Sequence, residues 1–326
     1  MRPTILTLAL LAAAPVWAGD ERWSVDLEAV QLELSGHDRE VLVDRAIDPG
    51  GTTTVSAVTL ETGDALAYRA ELRYTPGSWS WGLDFLSHRT SQDADRRSGT
   101  AVAGGERIFV VGGGQVASDD PSEQLYFERL EDTTVELWTL DLHASRAFAS
   151  GPQGELRWLV GLRAADFDND YRAIAGVEGV GGLRLDASSN YDRMHGPLVG
   201  LAGRFERGRN RFEGYLGQSV VWGDVELSSG VREFVGPPSR DVDDVPGVVG
   251  ESRFKTTESV SIPITELRLA WRYRITQHLA LGAGAFASRW WDVAVPPGVE
   301  AGSTIETLDE STIDLLGLSA GVTFRF

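Results

Sequence analysis

The chain has 326 residues, no cysteine and a formal net charge of −18 at pH 7. A hydrophobic content of 42% can form a folded core, while the lack of cysteine excludes disulfides and thiolate metal sites. The acidic balance argues against nucleic acid as a partner, because its phosphates are bound by clustered Lys and Arg. No apolar run approaches the ~20 residues of a membrane-spanning helix, which excludes a helical membrane protein.

The N-terminus has the organisation of a bacterial secretory signal peptide. Arg2 precedes an apolar stretch at residues 5–14, and small residues ending at Ala18 form a cleavage site. A buried N-terminal helix is the alternative, which the short length disfavours. We therefore expect residues 1–18 to be removed after export, so that residues 19–326 form a single domain.

Ten segments of this domain alternate apolar and polar residues with a period of two, which is typical of β-strands with one apolar face. In the second segment, Leu66, Tyr68 and Leu72 share one face, while Arg69 and Glu71 share the other. The first segment shows a slip in the alternation near residues 29–30, which predicts a β-bulge. The ten segments are residues 23–34, 65–74, 79–85, 133–145, 155–166, 191–205, 211–224, 265–274, 279–291 and 314–326.

The connections between these segments alternate between long and short. Five long polar stretches cover residues 35–64, 90–132, 167–190, 225–257 and 296–310, and four short turns cover residues 75–78, 147–154, 207–210 and 275–278. Outer-membrane barrels have this asymmetry, with short periplasmic turns and long extracellular loops. The sequence therefore predicts an all-β fold, a transmembrane antiparallel up-and-down β-barrel of about ten strands, with a range of eight to twelve.

The last segment ends on an aromatic residue at the C-terminus. Leu316, Leu318 and Val322 lie on one face with Phe324 and Phe326, opposite small and polar residues. A terminal phenylalanine after such a strand resembles the assembly signal of outer-membrane barrels, so we expect Phe324 and Phe326 to act in assembly. The alternative is a half-buried strand of a periplasmic sandwich, which shows the same alternation.

Several short motifs resemble the Legionella-type major outer membrane protein family, whose members are β-barrel porins. The resemblance is carried by Tyr68-Arg-Ala-Glu-Leu-Arg-Tyr74, Trp79-Ser-Trp-Gly-Leu-Asp84, Leu140-Asp-Leu142, Gly161-Leu-Arg163, His195-Gly-Pro-Leu-Val-Gly-Leu201 and Gly-Val-Thr-Phe-Arg-Phe326. It implies an outer-membrane location and a pore, and it transfers no catalytic residues. One departure is His143, which follows the Leu140-Asp-Leu142 motif where the family has an acidic residue.

The polar faces of the predicted strands carry many charges, and the barrel register directs them into the lumen. Ten strands give a backbone radius of roughly 10 Å, of which inward arginines consume about half. These charges form either an ion-selective constriction or an electrostatic plug that fills a narrow barrel. The candidate lumen-lining residues are Arg69, Glu71, Arg73, Asp84, Asp141, Arg157, Arg163, Glu266, Arg268, Arg272 and Arg274.

Ten-stranded barrels also include the omptin surface proteases, which use paired aspartates with an Asp-His pair. Asp166 and Asp168 could supply the first pair, and Asp141 and His143 the second. The pattern places the two pairs about 25 Å apart along the barrel, too far for proton transfer over ~3 Å. Residues 166–170 also have oxygen ligands with calcium-like spacing, but the glycine and glutamate of a calcium loop do not follow.

These patterns favour a non-catalytic outer-membrane protein, porin-like or structural, with a narrow charged lumen. The alternatives are a surface barrel that binds a ligand or adheres through long acidic loops, and, less favoured, an omptin-like protease. We expect no cofactor, no metal and no nucleic-acid partner. The expected partners are outer-membrane lipid, lipopolysaccharide and the barrel assembly machinery; the sequence does not indicate an oligomeric state.

Overall fold

The computed structural model describes residues 23–35, 40–59, 65–91, 96–101, 103–111, 114–129, 134–236, 248–295 and 309–326. The predicted signal peptide lies outside these residues and stays a prediction. The described residues contain no helix that is long and apolar enough to cross a membrane. Their regular structure consists of β1 (Trp23–Ser35), β2 (Glu40–Ile47), β3 (Thr53–Thr59), β4 (Ala65–Tyr74), β5 (Trp79–Ser91), β6 (Arg96–Thr100), β7 (Glu106–Val111), β8 (Gly114–Ser118), β9 (Gln124–Arg129), β10 (Thr134–Gly151), β11 (Gly154–Val177), β12 (Gly181–Arg207), β13 (Asn210–Val235), β14 (Val248–Arg274), β15 (Leu279–Val295) and β16 (Asp309–Arg325).

Ten of these strands close into an antiparallel barrel, which confirms the predicted fold and strand number. The order around the barrel is β1, β4, β5, β10, β11, β12, β13, β14, β15 and β16. The ring closes where β1 pairs with β16, from Ser24 opposite Arg325 to Ser35 opposite Asp314. Because every strand has a neighbour on both sides, the barrel itself has no open edge.

Four short turns lie at one end of the barrel, which is the periplasmic end in this architecture. Two of them contain a glycine with positive φ, Gly77 at 67° and Gly208 at 63°. A side chain would strain that conformation, so glycine permits the tight reversal between adjacent strands. The predicted short connections are therefore confirmed, and the turn after β10 is tighter than predicted, because the strands extend to Gly151 and from Gly154.

The outer face of the barrel carries a continuous apolar band. Leu162 and Leu318 are 64% and 72% exposed, although both are large aliphatic residues. On β13, the outward face runs from Phe212 near the periplasmic end to Trp222. Ten residues at ~3.3 Å each, tilted by ~40°, span about 25 Å, which is the height of an outer-membrane barrel's apolar band.

Above this band the polarity of the two faces is inverted. On β13 the outward residues become Asp224 and Glu226, while Val225 and Leu227 face the interior and are buried. The outside changes from lipid to water at this height, so the apolar residues move to the inside of the barrel. The same inversion explains the first strand, where the inward residues change from Asp26 to Val30 and Leu32.

The predicted β-bulge near residues 29–30 is therefore wrong. The register of β1 against β4 is continuous, with Glu28 opposite Arg69, Ala29 opposite Tyr68 and Val30 opposite Ala67. What resembles a slip in the sequence is the change in polarity of the inward face.

The long connections lie at the outer end as predicted, and where the structure describes them they are largely β-strand. Strands β11 to β14 continue far beyond the apolar band, and β9 and β6 add to the edge of β11. Strands β3, β2, β7 and β8 form a separate four-stranded sheet. Phe109 and Val116 of this sheet pack on Phe127, Tyr171 and Leu185, which gives the outer end its own hydrophobic core. The part of the last loop at residues 296–308 lies outside the described residues.

Candidate functional site

The candidate functional site is the charged interior of the barrel. The structure places all eleven sequence-predicted lining residues on the inward register of their strands. They divide by height into a buried charged layer in mid-barrel and a more open periplasmic mouth. The charged layer contains Arg69, Glu71, Asp84, Asp141, Arg163, Glu266, Arg268 and Arg272, and the mouth contains Arg73, Arg157 and Arg274.

Arg163 is the most enclosed cation of the charged layer, with a side chain that is 1% exposed. Its guanidinium donates to both carboxylate oxygens of Asp141 at 2.7 and 2.6 Å and to Glu266 at 2.7 Å. Two carboxylates thus surround one buried arginine, so removal of the arginine would leave two negative charges facing each other.

Arg69 and Arg268 connect the two sides of the barrel. Arg69 on β4 donates to both oxygens of Asp84 at 2.9 and 2.7 Å and reaches Glu28 at 3.2 Å. Arg268 on β14 contacts the same Asp84 and also Glu266. Because β5 and β14 lie on opposite sides of the barrel, the contact between Arg268 and Asp84 bridges the lumen.

Arg272 completes the layer with partners that the sequence did not reveal. It contacts Asp26 at 2.7 Å, Glu28 at 3.1 Å and Glu213 at 2.6 Å. Asp26 and Glu28 lie on the first strand, where the apparent slip hid the inward face. Glu213 lies on β13, where Gln218 interrupts the apolar face and obscures the alternation in the sequence.

Gln218 faces outward in the structure, so the register of β13 follows its aromatic residues. Its side-chain carbonyl accepts a hydrogen bond of 2.7 Å from the Thr265 hydroxyl on β14. This bond satisfies two polar groups that would otherwise be exposed to lipid.

A hydrophobic core fills the barrel above the charged layer. Phe167 is fully buried and Trp290 is 1% exposed, and their rings lie 6.5 Å apart across the interior. Leu32 and Ile264 join the same cluster from other strands. Among the described residues, the interior is thus occupied first by paired charges and then by packed apolar side chains.

The proposed protease pairs are not brought together. Asp166 and Asp168 lie on the outward face of β11, where Trp138 donates a 3.1 Å hydrogen bond to Asp166. Asp141 points inward and is held by Arg163, so it is paired with a cation and not with a histidine. This geometry gives no nucleophile or general base within reach of the other pair.

His143 has a packing role instead. Its ring lies over Gly82 of the neighbouring strand, where an added Cβ would be 2.2 Å from the ring nitrogen Nε2. Glycine at that position therefore makes room for the imidazole, as small residues do beneath large ones on adjacent strands.

The carboxylates at residues 166–170 form an acidic patch just above the apolar band. Partial burial and the negative charges of Asp166, Asp170 and Glu136 raise the pKa of Asp168 to about 6. Within the described ranges, no group of three or more His, Asp or Glu side chains is arranged to hold a metal ion.

The C-terminal aromatic residues lie at the periplasmic end beside the first strand. The backbone of Phe326 exchanges hydrogen bonds with Trp23, at 2.9 and 3.2 Å. The role of Phe324 and Phe326 in assembly stays a prediction.

A closed ten-stranded antiparallel barrel with an apolar outer band and short turns at one end defines the class of outer-membrane β-barrels. No family model matches the chain. No curated protein matches it either.

Among solved structures, the outer-membrane protease OmpT from Escherichia coli is similar at 14% identity, with a TM-score of 0.49, over 96% of this chain and 99% of that one. The Pseudomonas putida toluene transporter TodX is similar at 7% identity and a TM-score of 0.33, over 94% and 90% of the two chains. The CymD monoaromatic hydrocarbon channel has 7% identity and a TM-score of 0.32, over 94% and 89%.

Proposed function

We propose that the chain is a structural protein of the bacterial outer membrane, whose barrel is closed and supports a β-sheet structure at the cell surface. We call this structure the outer head; it consists of β3, β2, β7 and β8. The observation that carries this proposal is the double closure of the lumen. Arg163 with its two carboxylates blocks the barrel in mid-membrane, and the packed core around Phe167 and Trp290 blocks it again above.

The two closures act in series, so a solute would have to break both. The first is cross-linked through the lumen by charge-assisted hydrogen bonds, which are the strong ones in proteins. The second is dry and apolar, so a hydrated ion that passed the first would lose its water in the second. A ten-stranded barrel is also near the size at which side chains alone fill the interior. We therefore favour the structural alternative over a permanently open, porin-like pore.

Planar-bilayer recording tests the closed lumen. The purified and refolded chain should insert without stepwise channel openings, while a sixteen-stranded porin prepared in the same way serves as the positive control. Regular unit openings from the parent chain would contradict the proposal and restore the porin-like function.

A location in the outer membrane is part of the proposal, and it is supported by the apolar band of about 25 Å between two polar ends. We expect the chain in the outer-membrane fraction, with lipopolysaccharide around the band and assembly by the barrel assembly machinery. Membership of the Legionella-type family stays a prediction from the motifs. Recovery of the chain from soluble periplasm would contradict this location.

A second candidate function, binding at the cell surface, is favoured by the outer head. The sheet of β3, β2, β7 and β8 lies outside the ring of barrel strands, and Phe109 packs it against the barrel extension. Cells that produce the parent chain should aggregate in a sedimentation assay more than cells whose chain lacks residues 40–59. Equal sedimentation at equal surface amounts would argue against adhesion between cells.

A further inference from the structure

The periplasmic mouth of the barrel carries a cluster of arginines that the proposed function does not use. Each lies at the last or last but one inward position of its strand, and together they come from six of the ten barrel strands. We call this set the arginine ring; it consists of Arg73, Arg157, Arg204, Arg211, Arg274 and Arg325.

The carboxylates at this height are shared among several arginines and held loosely. The carboxylate oxygens of Glu206 lie 3.7 Å from guanidinium nitrogens of Arg204 and Arg211 and 3.5 Å from one of Arg274. These distances exceed a normal charge-assisted hydrogen bond of about 2.7–2.9 Å. Glu206 is thus shared by three guanidinium groups, none of which donates a short hydrogen bond to it.

The remaining carboxylates are shared with other arginines in the same way. Glu155 is divided between Arg157 at 3.2 Å and Arg204 at 3.3 Å. Glu213 contacts Arg272 of the charged layer at 2.6 Å and also Arg211 of the ring. It lies 3.8 Å from Arg73, whose Nε donates to Glu71 at 3.0 Å. The mouth thus has more guanidinium donors than acceptors.

Arg211 gives the clearest sign of a missing acceptor. The residue is 8% exposed, and its Nη2 contacts Glu213, yet its Nε has no hydrogen-bond partner among the described residues. Arg73 and Arg325 lie near enough to repel its charge. A buried guanidinium nitrogen without an acceptor is costly, unless a ligand supplies one.

The ring adjoins a cavity that is large enough for a small ligand. The cavity has a volume of about 250 Å³ and extends from the turn residue Gly77 inward to Asp84 and Arg268. Arg73, Arg157 and Arg204 of the ring line it directly. Because the charged layer closes its inner end, it is a blind chamber open to the periplasm.

We propose that this chamber binds a small oxyanion, with a phosphate group as the chemical class that fits it. Phosphate oxygens accept several hydrogen bonds in the geometry that the arginine fork presents, and one such group could satisfy donors on more than one strand. The chamber is lined by six arginines and four carboxylates, so the site is cationic although the chain carries a net charge of −18. It would therefore select anions that reach it from the periplasm. This inference does not depend on the lumen being closed to conduction.

Titration calorimetry with inorganic phosphate tests the proposal on the full-length chain in a detergent without phospholipid. The parent chain should bind phosphate with about one site per barrel, and chloride at equal ionic strength should not replace it. The double variant Arg157→Gln/Arg204→Gln should bind at least about tenfold more weakly, since it removes two ring donors that line the chamber. Arg209→Gln is the control, because Arg209 lies in the periplasmic turn outside the ring.

Folding of each variant is checked by the difference in electrophoretic mobility between heated and unheated samples. If the double variant does not fold, the single variant Arg204→Gln is compared with Arg209→Gln instead. An absence of phosphate binding to the parent, or an equal loss in Arg209→Gln, would overturn the proposal.

A second arm separates free phosphate from a lipid headgroup as the source of the anion. The titration is repeated in vesicles of phosphatidylcholine with and without phosphatidylglycerol. Binding of inorganic phosphate in both vesicles indicates a soluble ligand. If inorganic phosphate binds the parent chain in phosphatidylcholine vesicles but not in vesicles that also contain phosphatidylglycerol, the lipid phosphate occupies the chamber.

Discussion

At the scale of single residues, the molecule depends on arginines that are each held by more than one carboxylate. Arg163 is the extreme case, because its side chain is almost fully buried between Asp141 and Glu266. A buried ion pair adds little net stability over an apolar pair, but removal of one partner is costly. We expect the charged layer to contribute specificity, because its ion pairs join residues of different strands and depend on the observed register.

Arg163→Leu tests this dependence. The variant removes the bidentate cation of Asp141 and leaves Glu266 with Arg268 alone, so we expect the free energy of unfolding to fall by about 3–5 kcal/mol. The measurement is denaturant unfolding of the refolded barrel followed by tryptophan fluorescence. Arg289→Leu is the matched control, since its pair with Asp314 is exposed on the outer face, and it should melt like the parent. Equal effects of the two variants on the free energy of unfolding would show that the charged layer does not stabilise the barrel.

Asp168 gives a pH-dependent prediction outside the membrane. Its pKa is raised to about 6 from an ordinary 3.8, so the folded state holds the proton more tightly than the unfolded state. Stability is therefore lost as the pH rises from about 4 through 6. Asp168→Asn removes this loss and should raise the unfolding midpoint at pH 8, with little effect at pH 4.

Unfolding midpoints of the heated barrel across this pH range provide the measurement for Asp168→Asn. Glu178→Gln, at an exposed turn of the outer end, is the control and should leave the pH profile unchanged. A parallel profile for parent and Asp168→Asn would contradict the assignment of the pH dependence to this carboxylate.

At the scale of strands, the deciding feature is the inversion of polarity at the outer edge of the apolar band. Leu216 and Asp224 lie on the same outward face of β13, one within the band and one above it. The position along the strand therefore determines which residue types the outward face accepts.

Leu216→Arg and Asp224→Arg form a matched pair for this inversion. A charge on the lipid face costs about 2–4 kcal/mol at mid-bilayer and little beyond the interface. We expect Leu216→Arg to reduce the amount of folded chain in the outer-membrane fraction, and Asp224→Arg to leave it unchanged. Equal amounts of the two variants would place the edge of the membrane elsewhere on β13.

The inversion also explains what the sequence could and could not predict. Within the band, the apolar outward face has a clear period of two, so the ten strands and the short turns were correctly predicted. The charged residues on the inward face followed from the same register. Above the band the apolar residues change faces, and the segment from Val225 onward was therefore interpreted as a loop although it continues β13.

The missed lumen residues have the same origin. Asp26 and Glu28 lie just below the inversion on β1, where the change at Val30 resembled a bulge. The strands of the outer head were missed for another reason. They are short, as in Gly114–Ser118, so local alternation carries little information about them.

At the scale of the whole molecule, the barrel has three levels along its axis. A basic chamber opens to the periplasm, a charged layer and a hydrophobic core close the middle, and an acidic β-sheet structure extends outward. The chain has no cysteine, so single cysteines can report the water access of each level without background.

The central claim is that no continuous water path runs through the lumen, and thiol labelling tests it most directly. Ala202→Cys lines the periplasmic chamber, and Ala67→Cys lies in the hydrophobic core, where alanine is fully buried. A small membrane-impermeant thiol reagent should label Ala202→Cys in the folded barrel and should label Ala67→Cys only after heating. Labelling of both cysteines at similar rates in the folded state would contradict the closed lumen.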